Sequence, residues 1–114
     1  MAVKPLPVLR EKGVCCELPA VDAGWAESTS GVLKALADPT RLTMLAALWR
    51  ADGPVCICDF SGCTRLSQPT ISHHMGKLRQ AGLVESEKHG IWMYYRLSDH
   101  LRPATRALLA QLLT

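Results

Sequence analysis

No apolar run in this chain approaches the ~20 residues of a membrane-spanning helix, and its N-terminal stretch lacks the long apolar core of a secretion signal. A cytoplasmic location is therefore expected. Aromatic residues are scarce, with one Phe, two Tyr and three Trp among 114 residues. The 48% of hydrophobic residues can still bury a core, but it must rest on Leu, Val, Ile and Ala, a composition that favours helices. There is no Cys-x-x-Cys, no Gly-rich phosphate loop, and no Cys followed six residues later by Arg to cradle an oxyanion. These absences count against a thiol enzyme such as a small reductase. Internal repeats and low-complexity segments are absent too, and the length fits one domain. A net charge of +3 permits nucleic-acid binding without demanding it.

What the chain does have is cysteine. Five of them fall into an adjacent pair, Cys15-Cys16, a spaced pair, Cys56-Ile57-Cys58, and a single Cys63. In a reducing compartment such residues are more often metal-binding or catalytic than structural, and an odd total argues against a disulfide framework. Neighbouring Cα atoms lie about 3.8 Å apart, below the roughly 4.4–6.8 Å of an unstrained disulfide. Cys15 and Cys16 are thus badly placed to bond each other and well placed to grip one soft ion.

Residues 1–21, with Pro5, Pro7, Gly13 and Pro19, read as an arm without sustained periodicity. Asp22 is a good N-cap for a helix ending near Ala37, with Trp25, Val32, Leu33 and Leu36 as its apolar positions. Asp38-Pro39 starts a second helix, since Asp caps and Pro suits the first helical position. Its buried face is Leu42, Leu45, Leu48 and Trp49, and Asp52-Gly53-Pro54 stops it. Val55 to Cys58 reads as extended, which turns both cysteines to one side. Asp59 is then the cap of a short third helix with Phe60, Cys63 and Leu66 inward. Ser67-Gln68-Pro69-Thr70 opens a fourth, burying Ile71, Met75 and Leu78 and ending at Gly82. Two β-prone runs, Leu83 to Glu87 and Ile91 to Leu97, flank a turn at Lys88-His89-Gly90. A leucine-rich helix from about His100 to Leu113 closes the chain and suggests a dimer. The expected fold is mainly α with a β-hairpin wing, in the order α-α-α-α-β-β-α, with residues 22–114 forming a winged helix-turn-helix domain.

Three stretches sharpen that reading: Leu33 through Leu42 (LKALADPTRL), Leu66 through Met75 (LSQPTISHHM), and Gly82-Leu83-Val84 with Tyr94-Tyr95-Arg96-Leu97. Together they closely resemble the ArsR/SmtB family of metal-responsive repressors over roughly residues 25–112. Val55-Cys56-Ile57-Cys58-Asp59-Phe60 further resembles the Cys-Val-Cys-Asp-Leu box of its arsenic- and cadmium-sensing branches. The resemblance implies a homodimer that binds a double-stranded operator with an inverted repeat when metal-free, and releases it when thiolates capture an inducer. Two departures guide the site. Arsenic sensors with all ligands in the third helix have a Cys where this chain has Ser61. Zinc sensors need an Asp-x-His pair in the last helix, whereas Asp99 is here followed by His100 and Leu101, with no later His or acidic residue. Arm and box cysteines instead look like the branch whose site joins the N-terminal segment to the third helix.

Cys15, Cys16, Cys56 and Cys58 are accordingly the candidate ligands. Soft thiolates select soft ions. Four sulfurs suit tetrahedral Zn(II), Cd(II) or Pb(II), while As(III) or Sb(III) needs only three and suits the adjacent pair. No permanent cofactor is expected. A redox-sensing repressor with an arm-to-box disulfide is a further alternative. Cys63 reads as core, because free Cys behaves as a small hydrophobe. For DNA the candidates are Gln68, Thr70, Ser72, His73 and Lys77 on the polar side of the fourth helix, since Gln can read adenine, Ser and Thr reach bases or phosphates, and Lys neutralises phosphate. Lys88 and His89 in the hairpin are candidate groove or phosphate contacts. His74 reads as a partly buried core histidine.

Overall fold

The computed structural model describes Pro5 and residues 18–114. Cys15 and Cys16 therefore lie outside the described residues. The elements follow in the order α1 (Ala23–Leu36), α2 (Pro39–Arg50), β1 (Val55–Cys56), α3 (Ile57–Cys63), α4 (Gln68–Gln80), β2 (Val84–His89), β3 (Trp92–Leu97) and α5 (Pro103–Leu113).

Helix starts follow the capping signals closely. The Asp22 carboxylate accepts the Gly24 N–H at 3.0 Å, and Asp38 accepts that of Arg41 at 2.9 Å with Pro39 opening α2. Ser67 Oγ accepts the Thr70 N–H at 3.4 Å and begins α4. The end of α4 is a Schellman motif: the Leu83 N–H reaches Leu78 O at 3.0 Å, the Gly82 N–H reaches Arg79 O at 2.9 Å, and Gly82 takes a φ of +75°. Leu83 then goes straight into the core, fully buried, so this turn sets the angle at which the chain leaves α4 for the wing.

The wing differs from expectation in its turn. His89 pairs with Trp92, so the loop is Gly90-Ile91 and not Lys88-His89-Gly90. Gly90 at φ +64° with no positive φ at Ile91 fits a type II′ turn, whose first central residue favours glycine. Lys88 and His89 belong to the end of β2. The sheet also gains a strand: β1 pairs antiparallel with β3, Val55 opposite Tyr95 and Cys56 opposite Tyr94, giving the order β1-β3-β2.

The core joins α2, α3, α4, the sheet and α5 through Met44, Leu45, Phe60, Ile71, Met75, Leu78, Leu83 and Leu109. α5 starts at Pro103, later than about His100, because Ser98 Oγ accepts the His100 N–H at 3.1 Å and holds a turn there. Leu109 and Leu113 pack into the chain's own core, which leaves Leu112 as the exposed leucine of that helix. Trp25 and Leu33, two apolar positions of α1, are about half exposed at 55% and 50%.

Candidate nucleic-acid interface and thiol site

α4 separates its two faces cleanly. Ile71, Met75 and Leu78 are wholly buried, while Gln68, Thr70, Ser72, His73 and Lys77 are all exposed. Buried positions at i, i+4 and i+7 fill one side of a helix and leave Thr70, His73 and Lys77 on the other, whereas Gln68 shares the bearing of Met75 and is exposed because it opens the first turn. Thr70 Oγ1 lies 2.9 Å from Ser67 Oγ, so that hydroxyl takes part in the cap as well as facing outward. His74 sits between the faces, its side chain 17% exposed and its Nδ1 3.3 Å from Arg41 Nη1.

Further basic groups are exposed on the neighbouring elements. Lys88 and His89 are exposed on β2; His89 Nε2 stands 3.6 Å from a Glu87 carboxylate oxygen, and its ring lies edge-on to Tyr94. Two arginines that the sequence pattern does not single out join the surface. Arg65 is exposed between α3 and α4, and Arg79, in the last turn of α4, donates to Ser86 Oγ of β2 at 3.0 Å. The signal that could have found Arg65 is simply a cation in the turn of a helix-turn-helix, where backbone phosphates approach.

The box cysteines are brought together, though not by strand alternation. Only Cys56 is in β1; Cys58 lies in the first turn of α3. Cys56, not Asp59, is the N-cap: its Sγ accepts the Cys58 N–H at 3.3 Å, while Asp59 reaches back to accept the Cys56 N–H at 3.2 Å. Asp59 thus occupies the N3 position of a capping box. Its carboxylate is engaged with the backbone in this position. Cys56 is buried, Cys58 half-buried. The hydrogen bond with Cys56 pushes the Cys58 thiol above its ordinary 9.0, and burial and the neighbouring acidic groups of Cys56 and Asp59 act in the same direction.

Cys63 is a correction. It was expected in the core and is exposed. At about 100° per residue, the buried or half-buried Ile57, Phe60, Ser61 and Thr64 centre near the bearing of Ile57, and Cys63 lies at the outer edge, about 60° beyond Phe60. Among the described residues no group of three or more His, Cys, Asp or Glu is placed to hold a metal ion, so Cys56 and Cys58 offer a pair of soft donors and no more. Nor is any described helix long and apolar enough to cross a membrane.

Comparison with known proteins matches this geometry. The family described as bacterial regulatory protein, arsR family, matches residues 38–86, the span from the cap of α2 into β2. An HTH-type transcriptional regulator of Methanocaldococcus jannaschii is 40% identical over 73 residues, 64% of this chain and 81% of that protein. The arsenical resistance operon repressor of Escherichia coli is 43% identical over 70 residues, 61% of this chain and 59% of that protein. The cadmium resistance transcriptional regulatory protein CadC of Listeria innocua is 40% identical over 72 residues, 63% of this chain and 60% of that protein. The matches span only about 60% of the length of these arsenic and cadmium regulators. A homodimeric winged helix-turn-helix DNA-binding domain from Mycobacterium bovis superposes with a TM-score of 0.67 at 28% identity, covering 84% of this chain and 86% of that one. The fold is a winged helix-turn-helix of a DNA-binding regulator class, not that of an enzyme family, and the chain belongs to the arsR family of bacterial regulatory proteins.

Proposed function

We propose that this chain is a cytoplasmic homodimeric transcriptional repressor that holds operator DNA when ligand-free and releases it when As(III) or Sb(III) is captured by Cys15, Cys16 and one or both of Cys56 and Cys58. The observation that carries the reading is the joining of two chemistries through one short helix. Cys56 and Cys58 open α3, and α3 leads through a tight turn into α4, whose exposed residues include Gln68, Thr70, Ser72, His73 and Lys77. Residues 1–21 serve as the arm that brings the remaining thiols.

Operator reading falls to α4, which enters the major groove with Lys88 and His89 of the wing alongside. Dimerisation falls to α1 and α5. Trp25, Leu33 and Leu112 are exposed on these helices, and a groove of about 590 Å³ runs between them. Large apolar side chains left out of a small core favour a second copy over water. Two-fold symmetry then calls for an inverted-repeat operator.

The thiols perform the switch. Cys56 stands at a junction: its sulfur caps α3 and its backbone pairs with Tyr94 of β3. Engaging that sulfur withdraws a cap from the helix that leads into α4 and loads the strand that carries the wing. Soft sulfur donors suit arsenic, antimony and the soft divalent ions alike. Likeness to a cadmium regulator supports a second reading, in which four cysteines hold Cd(II), Pb(II) or Zn(II).

The test uses the reduced full chain and a duplex that it selects from a randomised pool. Arsenite and antimonite are added in turn, then cadmium, lead and zinc, while bound DNA is followed by fluorescence anisotropy. Release by arsenite at concentrations near that of the protein is expected. Release by the divalent ions alone would favour the second reading, and no selected duplex at all would overturn both.

A further inference from the structure

Arg41 occupies the corner where α1 ends and α2 begins, and its guanidinium reaches two helices at once. Nε donates to Ala35 O at 2.7 Å and Nη2 to Lys34 O at 3.4 Å, both carbonyls in the last turn of α1, where intrahelical donors run out. Nη1 lies 3.3 Å from Nδ1 of His74 on α4. A guanidinium carries donors only and keeps its proton, so Nδ1 must accept and the proton of the neutral imidazole sits on Nε2. Asp38 steadies the corner, accepting the Arg41 N–H at 2.9 Å through an oxygen 3.9 Å from the same Nδ1.

This contact differs in kind from everything else that holds α4 to α1 and α2. Ile71, Met75 and Leu78 supply non-directional apolar packing, which resists separation better than rotation. Among the described residues, the other side-chain hydrogen bonds of α4 run to its own cap at Ser67 and to Ser86 of the wing. With side chains reaching about 5–6 Å from the axis, rotating α4 by about 20° moves their tips by roughly 2 Å. A shift of that size breaks a hydrogen bond to a base edge.

We propose that Arg41 is a positioning residue for operator reading, fixing the rotation of α4 about its own axis through the Nδ1 acceptor of His74. The proposal rests on the reading that α4 contacts DNA bases. Its signature is a loss of discrimination between DNA sequences with no loss of general attraction to DNA, because phosphate contacts tolerate a rotation that base contacts do not.

The experiment measures affinity of the full reduced chain for the duplex it selects and for a randomised duplex, in the parent, Arg41→Lys, His74→Asn and His74→Gln, with thermal unfolding as a check on folding. Arg41→Lys keeps the charge and loses the fork; Asn offers an oxygen near the place of Nδ1, and Gln does not. The ratio of the two affinities should fall on the order of tenfold in Arg41→Lys and His74→Gln, with His74→Asn close to the parent and randomised-duplex binding unchanged throughout. The ¹⁵N spectrum of the parent imidazole should show Nε2 protonated and Nδ1 bare. An unaltered ratio in Arg41→Lys, equal loss in His74→Asn and His74→Gln, or a proton on Nδ1 would overturn the proposal while leaving the DNA reading intact. A parent that prefers no duplex would overturn that reading itself and the proposal with it. Should the variants not fold, the parent tautomer decides.

Discussion

Cys56 Sγ accepts the backbone N–H of Cys58 at 3.3 Å, so one candidate inducer ligand is also the cap of the helix that carries the other. Removing the acceptor should cost stability even without any inducer. Cys56→Ala is expected to lose about 0.5–2 kcal/mol relative to Cys56→Ser, which keeps an acceptor at the N-cap. Urea unfolding of the two metal-free variants checks this, and equal midpoints would contradict it.

Cys63 makes the opposite prediction. Exposed at the end of α3, it should tolerate Ser with a change within about 0.5 kcal/mol, whereas Phe60→Ala, which empties a buried site in the same helix, should cost about 3–5 kcal/mol. In timed alkylation Cys63 should react before Cys56. A slow Cys63 would restore the core placement that the sequence suggested.

That exchange shows where the sequence was legible. The caps Asp22, Asp38 and Ser67 were readable because a side-chain acceptor followed by an apolar period is a local signal, and the structure places all three at helix starts. The buried face of α4 was readable because Ile71, Met75 and Leu78 repeat at helical spacing over about two turns. α3 was not. The cap of this seven-residue helix lies three residues before Asp59, and a sulfur acting as N-cap leaves no usual signature. The pairing of β1 with β3 is invisible locally, since it depends on where α2 and α4 deliver a two-residue strand. The excess of leucine in the last helix was a legible sign of packing beyond one subunit, but the exposure of Trp25 and Leu33 was not, because apolar periodicity is the same whether a helix packs within one subunit or against a second.

Proton bookkeeping separates the candidate inducers. The Cys56 hydrogen bond, with burial, holds the Cys58 thiol above its ordinary range, so the binding form is the one that must lose a proton. Each thiol bound to a divalent cation must then give up a proton, and the apparent affinity should rise about tenfold per pH unit for each proton displaced. Each thiol that condenses with arsenous acid, which is neutral, gives its proton to a departing water, so arsenite affinity should stay nearly flat from pH 6 to 8 while cadmium affinity climbs. Isothermal titration in buffers of different ionisation enthalpy reads this directly. A steep rise for arsenite would contradict it.

DNA readout should divide by residue type. Ser72→Ala and His73→Ala are expected to weaken binding to the selected duplex and leave inducer binding intact. Gln68→Ala should relax sequence preference by about 1–3 kcal/mol if the side chain is bidentate to a base. Lys77→Ala should weaken all duplexes alike and lower the salt slope by about one. Anisotropy titrations across a salt series check these outcomes, and unaltered affinity in every variant would remove α4 from the interface.

The central claim is that arm thiols and box thiols act on one inducer. Its most direct measurement is arsenite stoichiometry and loss of free thiols, followed together with release of the selected duplex, in the parent, in Cys15→Ser/Cys16→Ser and in Cys63→Ser. The account predicts that the parent and Cys63→Ser lose thiols from both groups and release DNA alike, while Cys15→Ser/Cys16→Ser still binds the duplex but no longer lets it go. A double variant that binds arsenite and releases DNA like the parent, with Cys63→Ser failing to do so, would contradict it.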